Sequence, residues 1–176
     1  LATDIGTSSE RLKNVTFGSA GSASNTYTQE LTKNIYAQNT YIGNGTNKTI
    51  LEMKDDVKFG GSLTVRVNSL LDVNTHDIKV TENLALAANS LTGFKIYTSD
   101  ITASGSSAGV PSGSITTNTL TIDNNAIIKV NYEGTLYGAG SYTLISANSI
   151  SGTYLGTEAN GKVSDNSIID SIIKVD

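Results

Sequence analysis

The feature that most restricts the fold of this chain is a recurring interval. Short runs of β-branched and aliphatic residues return about every 20 positions. Asn34-Ile35, Val57-Lys58, Ile78-Lys79, Ile101-Thr102 and Leu120-Thr121 open comparable units, at intervals of 23, 21, 23 and 19 residues. Apolar and polar residues alternate inside many of these runs, as in Thr49-Ile50-Leu51-Glu52-Met53 and Ser62-Leu63-Thr64-Val65-Arg66-Val67. A period of two places one side of a strand in a core and the other in water. Gly, Asn, Ser and Asp separate the runs and supply turns. Helical spacing is scarce, and its best stretch, Glu82 to Ala88, is short and uncapped, so it reads as strand plus turn.

Strand and turn repeated at this interval predict a solenoid, in which each unit contacts chiefly its neighbours. A leucine-rich repeat shares the interval but needs a fixed Leu/Asn template that is absent. The loose interval predicts an all-β chain folded as a right-handed parallel β-helix. Its coils hold about 19–23 residues, and residues 1–176 form a single domain. About eight coils at ~4.8 Å each would make a rod nearly ~40 Å long. The expected interior is Ile35, Val57, Leu63, Val65, Ile78, Val80, Ile96, Leu120, Ile122, Val130, Leu144 and Ile145.

Composition narrows the function classes. Ser, Thr and Asn make up about a third of the chain, whereas charged residues are 16%, below the roughly 25% of an average soluble domain. The net charge is −4 and there are two arginines, Arg11 and Arg66. Phosphate neutralisation needs clustered cations, so nucleic acid is a poor partner. With no Cys, disulfides and thiolate metal sites are excluded. No apolar run approaches the ~18 residues of a membrane-spanning helix. Leu1 is not a Met start, residues 1–30 contain no signal-peptide core, and Ile168 to Val175 is still strand-like. Both ends therefore read as cuts through a longer chain, and frayed termini with weak end-to-end self-association are expected.

Residues 103–114 break the pattern with a Gly/Ser run holding the only Pro. It reads as a loop excursion from the repeat. Loops carried on rigid scaffolds often recognise ligands, which makes Ser104, Gly105, Ser106, Ser107, Gly109, Val110, Pro111 and Ser112 the candidate binding residues.

Catalytic constellations are sparse. The only His, His76, adjoins Asp77, which on a strand would point the other way. Asp55-Asp56 reads as a turn cap, while Asp56, Asp77 and Asp100 recur near the ends of units and mark equivalent turns. Thr117, Thr119 and Thr121 alternate like an ice-binding ladder but form a single row. Three Asn-x-Thr sequons, at Asn14, Asn44 and Asn47, are expected by chance in a chain this rich in Asn and Thr. No catalytic, cofactor-binding or metal-binding residue is assigned.

Two segments resemble the passenger domains of bacterial autotransporters. One is Leu120-Thr121-Ile122-Asp123-Asn124-Asn125-Ala126-Ile127-Ile128-Lys129-Val130-Asn131-Tyr132, followed by Gly140-Ser141-Tyr142-Thr143-Leu144-Ile145-Ser146-Ala147 and Ile150-Ser151-Gly152. The other is Asp4-Ile5-Gly6 with Arg11-Leu12-Lys13-Asn14-Val15-Thr16-Phe17-Gly18, which is most similar to rickettsial surface antigens of the outer membrane protein B type. The resemblance implies a β-helical fragment exported to the bacterial cell surface, outside the outer membrane. It further implies a non-enzymatic role in adhesion or as an antigenic stalk or coat, with a host-cell surface protein as partner. Membrane association would come only through a C-terminal barrel that this sequence does not include. Two alternatives stand beside it: a carbohydrate-active β-helix lyase or hydrolase, and a self-associating S-layer-like coat protein.

Overall fold

The computed structural model describes residues 3–18, 25–97, 113–123, 125–133 and 142–152. These residues are all-β, with twelve strands and no helix. The strands are β1 (Leu12–Phe17), β2 (Thr26–Leu31), β3 (Ala37–Ile42), β4 (Lys48–Met53), β5 (Val57–Phe59) and β6 (Ser62–Val65). They continue with β7 (Ser69–Asn74), β8 (Asp77–Leu86), β9 (Leu91–Tyr97), β10 (Ser114–Ile122), β11 (Ile127–Glu133) and β12 (Ile145–Gly152). Glu82 to Leu86 thus belongs to a strand, with a turn after it.

The strands form two sheets. One is seven-stranded, in the order β1-β3-β6-β8-β10-β12 with β5 also paired to β8; the other is five-stranded, in the order β11-β9-β7-β4-β2. Every pairing is parallel. A parallel neighbour cannot follow through a tight turn, because the chain must first return to its starting end. Here the return is made in the opposite sheet, and only β5 to β6 stay within one sheet.

Parallel register aligns inward side chains in rows across the strands. Ile42, Val65, Leu86 and Ile122 form one row, and Leu63, Leu84 and Leu120 another. Leu51 pairs with Leu71 in the opposite sheet, and all of these belong to one buried cluster. Eleven of the twelve expected interior residues are buried. Leu144, just ahead of β12, is only partly buried against the cluster.

Turns are stacked as well. Asn68, Asn89 and Asn125 hold φ of 60°, 58° and 65°. The N–H of Asn68 donates to the Asn89 carbonyl at 3.3 Å, and that of Asn89 to the Asn125 carbonyl at 3.0 Å. Asn enters the left-handed region more readily than other residues with a β-carbon, so each turn can repeat without Gly. Gly is required at the bend between β5 and β6. There β8 pairs with β5 through Ile78–Val80 and with β6 through Leu84–Leu86. A β-carbon on Gly61 would run into the carbonyl oxygens of Ala37 and Gln38.

Two expectations are corrected. The interval of 19–23 residues holds only in part: Asp56 and Asp77 stack 21 residues apart, but Asp77 meets Ser114 after 37 and Thr121 meets Ser151 after 30. Ile78 pairs with Ile115, and Leu120 with Leu84. Ile101 is therefore not the next partner of Ile78; it lies outside the described residues, in the long segment between β9 and β10. Among the described residues the longer path has six levels. Thr117, Thr119 and Thr121 do not share a face either. A register shift between Thr117 and Thr119 turns Thr117 inward, 4% exposed, while the other two are half-buried.

Val65→Asp should leave no soluble folded protein, because an unpaired buried charge costs several kcal/mol. Gly61→Ala should lower stability by about 1–3 kcal/mol. At Gly93 the nearest atoms to an added β-carbon lie 3.5 Å away, so Gly93→Ala should stay within about 0.5 kcal/mol. Denaturant titration would check all three, and equal loss at Gly61 and Gly93 would refute the packing argument.

Candidate functional site

The candidate loop Ser104, Gly105, Ser106, Ser107, Gly109, Val110, Pro111 and Ser112 lies outside the described residues, as do Asp100 and Ile168 to Val175. The turn carboxylates are described. Asp56 and Asp77 precede Val57 and Ile78, which pair, so the two acids occupy equivalent turns. Asp56 Oδ1 accepts the Asp77 N–H at 2.8 Å, and Asp77 Oδ1 accepts the Ser114 hydroxyl at 2.6 Å. Asp55 Oδ1 accepts the Asp56 N–H at 2.9 Å, as a turn cap does. His76 lies 3.7 Å from Asp56, not beside its sequence neighbour Asp77. The acids thus tie successive turns together. Both arginines make structural contacts: Arg11 donates to the Gly60 carbonyl at 2.7 Å and to Glu82 at 2.9 Å, while Arg66 lies over the Tyr41 ring at 4.1 Å. Among the described residues, no three of His, Asp and Glu are grouped to hold a metal ion.

The two sheets differ on their outer faces. The seven-stranded sheet presents amides and hydroxyls bonded across strands. Asn39 donates to Asn14 at 3.2 Å, Asn148 donates to Asn118 at 3.0 Å, and Thr121 and Ser151 share a bond of 3.1 Å. The five-stranded sheet presents an aliphatic row instead. Thr28, Ile50, Leu70, Leu91 and Ile127 are in register across β2, β4, β7, β9 and β11. Its four aliphatic members are half-buried and stand outside the core cluster. Beside them runs a second row, Glu30, Glu52, Asp72, Gly93 and Lys129. On the other flank Lys48, Asn68, Asn89 and Leu91, with Thr46, line a shallow depression of about 240 Å³.

The charged row has carboxylates on β2, β4 and β7, Gly93 on β9 and an ammonium on β11. Lys54 binds Glu52 at 2.9 Å and Glu30 at 3.3 Å. These bonds, with Glu52 first, hold its ammonium above the ordinary lysine range. Asp72 is shifted upward, chiefly by burial and less by the charge of Glu52; its bond from the Asn74 N–H opposes the shift. Gly93 leaves a notch between Asp72 and Lys129, where a longer side chain would fill the face. This arrangement suits recognition of an apolar surface edged with charge, because the rows repeat at the ~4.8 Å strand spacing on a rigid sheet.

Sequence reasoning missed this face. The signal was present as aliphatic doublets, Ile50-Leu51, Leu70-Leu71 and Ile127-Ile128. A period of two buries one member of each pair and leaves the other outside.

Asp72 gives a pH test. Its folded pKa lies above the unfolded value, so the folded state binds the proton more tightly. Ionisation therefore costs stability once pH rises through the folded pKa, and the cost vanishes below the unfolded value of about 3.9. Asp72→Asn should raise the melting temperature at neutral pH, with the gain lost below about pH 3. A gain that persists in acid would contradict the burial argument.

The sequence matches no family model, and neither a curated protein nor a solved structure is similar to it.

Proposed function

We propose that the chain is a right-handed parallel β-helix that acts by binding through its flat outer faces, as a non-enzymatic module of a bacterial cell surface. In this reading it is a passenger fragment of the autotransporter type, displayed outside the outer membrane, and its partner is a host-cell surface protein. Two features favour the β-helical reading: the chain changes sheet at nearly every step, and each return adds a parallel strand beside the last. Connections between parallel strands are overwhelmingly right-handed.

The observation that carries the binding role is the aliphatic row Ile50, Leu70, Leu91 and Ile127. Each is turned away from the core on a sheet whose inner side is fully packed. Contiguous apolar surface rimmed by polar groups marks interaction sites. Parallel backbone pairing fixes the rows, so binding there orders few groups and retains more of its contact energy.

Beads coated with the protein should adhere to host cells. Leu91→Lys, which changes the face without touching the core, should reduce adhesion several-fold, as a charge placed in an apolar contact does. Unchanged adhesion by a folded Leu91→Lys protein, or no adhesion by the parent, would refute the role.

The contact of Asp56 with His76 and Asp77 favours a second reading as a carbohydrate-active enzyme. Under the binding reading no polysaccharide is cleaved with or without Ca²⁺. Cleavage abolished by Asp56→Asn or Asp77→Asn would establish the enzyme instead.

A further inference from the structure

We propose that the outer face of the five-stranded sheet is a self-docking surface, on which two copies of this chain pack face to face with their strand levels running in opposite order. This goes beyond adhesion to a host cell and does not depend on it. It also differs from end-to-end association, because the surface is a side of the stack.

The argument begins with spacing. The aliphatic and charged rows repeat at the distance between strands, ~4.8 Å. A partner can meet all five levels in register only if it carries the same repeat, and a second copy does. Consider a twofold axis parallel to the strands, lying between the two faces at the level of β7. It keeps each row over its own counterpart and reverses the order of levels. Ile50 then meets the partner's Leu91, Leu70 meets the partner's Leu70, and Thr28 meets the partner's Ile127. The aliphatic row is thus covered along its length.

Charge complementarity supports the reversed order. The second row reads Glu30, Glu52, Asp72, Gly93, Lys129. Reversal places Glu30 over the partner's Lys129, twice by symmetry. It also sets Glu52 over the partner's Gly93, where no side chain stands and the partner's Lys129 is one level away. The other face-to-face rotation keeps the order of levels but turns the strands end for end. With the aliphatic rows superposed it brings Glu52 to the partner's Lys48 and gives Lys129 no carboxylate, so only the reversed order pairs the two ends of the charged row. The one like-charge meeting left is Asp72 with the partner's Asp72, at the axis. Lys54 remains engaged by Glu30 and Glu52 of its own chain.

Five levels by about 20 Å of strand give on the order of 400–500 Å² per copy. The total, about 800–1,000 Å², lies below the ~1,200 Å² at which stable specific interfaces begin and in the range of weak, transient association, so a dimer populated toward the millimolar end of the concentration range is expected.

Sedimentation equilibrium of the 176-residue chain from micromolar to millimolar concentration tests this. Monomer and dimer should be the species present. Leu70→Lys should abolish the dimer, and Lys129→Glu should weaken it at least ~10-fold. Glu30→Lys combined with Lys129→Glu should restore it, and Asp72→Asn should tighten it by removing the like-charge meeting. Circular dichroism would verify that each variant keeps the parent fold. A monomer throughout would overturn the proposal, as would a dimer indifferent to Leu70→Lys and Lys129→Glu. A charge-swapped pair no tighter than Lys129→Glu alone, or open-ended polymers in place of dimers, would overturn it as well.

Discussion

Parallel pairing is the constraint on which the rest of this structure depends. Two parallel neighbours need a path back between them, and this chain lays that path as a strand of a second sheet. Once the alternation is set, the core follows. Most inward residues stand on one of similar type in the level before, as Ile42, Val65, Leu86 and Ile122 do, and the apolar rows face each other across the gap. Backbone hydrogen bonds fix the levels, while side chains decide which way each row faces. Dependence on exact spacing explains why a single β-carbon at Gly61 matters, whereas the intervals between levels can stretch from 20 to 37 residues.

The same stacking makes polar turns cooperative. Asn68, Asn89 and Asn125 adopt one left-handed geometry and pass a backbone hydrogen bond from level to level. Asp56 and Asp77 link their turns through side chains. The chain uses amides and hydroxyls where other proteins place charge, and these groups satisfy each other across strands. Three of the hydroxyls turned inward behave differently: Thr49, Ser90 and Thr92 are 0%, 1% and 0% exposed, and their oxygens find no partner among the described residues. Such groups weaken the core relative to aliphatic replacements of the same shape.

Much of the fold was legible because it rests on alternation. Val57 and Ile78, read as starts of equivalent units, are direct partners, and period two identified Leu63, Val65, Leu120 and Ile122 as interior. Alternation fails where the backbone slips. The register shift after residue 117 sends Thr117 inward, and nothing local in Thr-Thr-Asn-Thr announces it. Interval counting failed between β9 and β10, since a long insertion between levels leaves the pairing intact while destroying the period. The outer face was overlooked for a different reason. Ile50, Leu70 and Ile127 each sit beside a buried aliphatic residue, and a doublet reads as core until register separates its members. Which charges share a row with them is a property of pairing across 20 or more positions, so Glu30 and Lys129 could not be associated from sequence.

The central claim, that successive strands stack in this register, can be tested directly because the chain has no Cys. Thr64 pairs with Ala85, and Ala85 with Thr121. Cysteines at 64 and 85 would occupy neighbouring strands at a Cα separation within the ~4.4–6.8 Å that a disulfide spans, whereas 64 and 121 would be two levels, or ~9.6 Å, apart. The measurement is the yield of intrachain disulfide on mild oxidation, read by peptide mass after digestion. The account predicts a bridge in Thr64→Cys with Ala85→Cys and none in Thr64→Cys with Thr121→Cys; a bridge in the second pair and none in the first would contradict it.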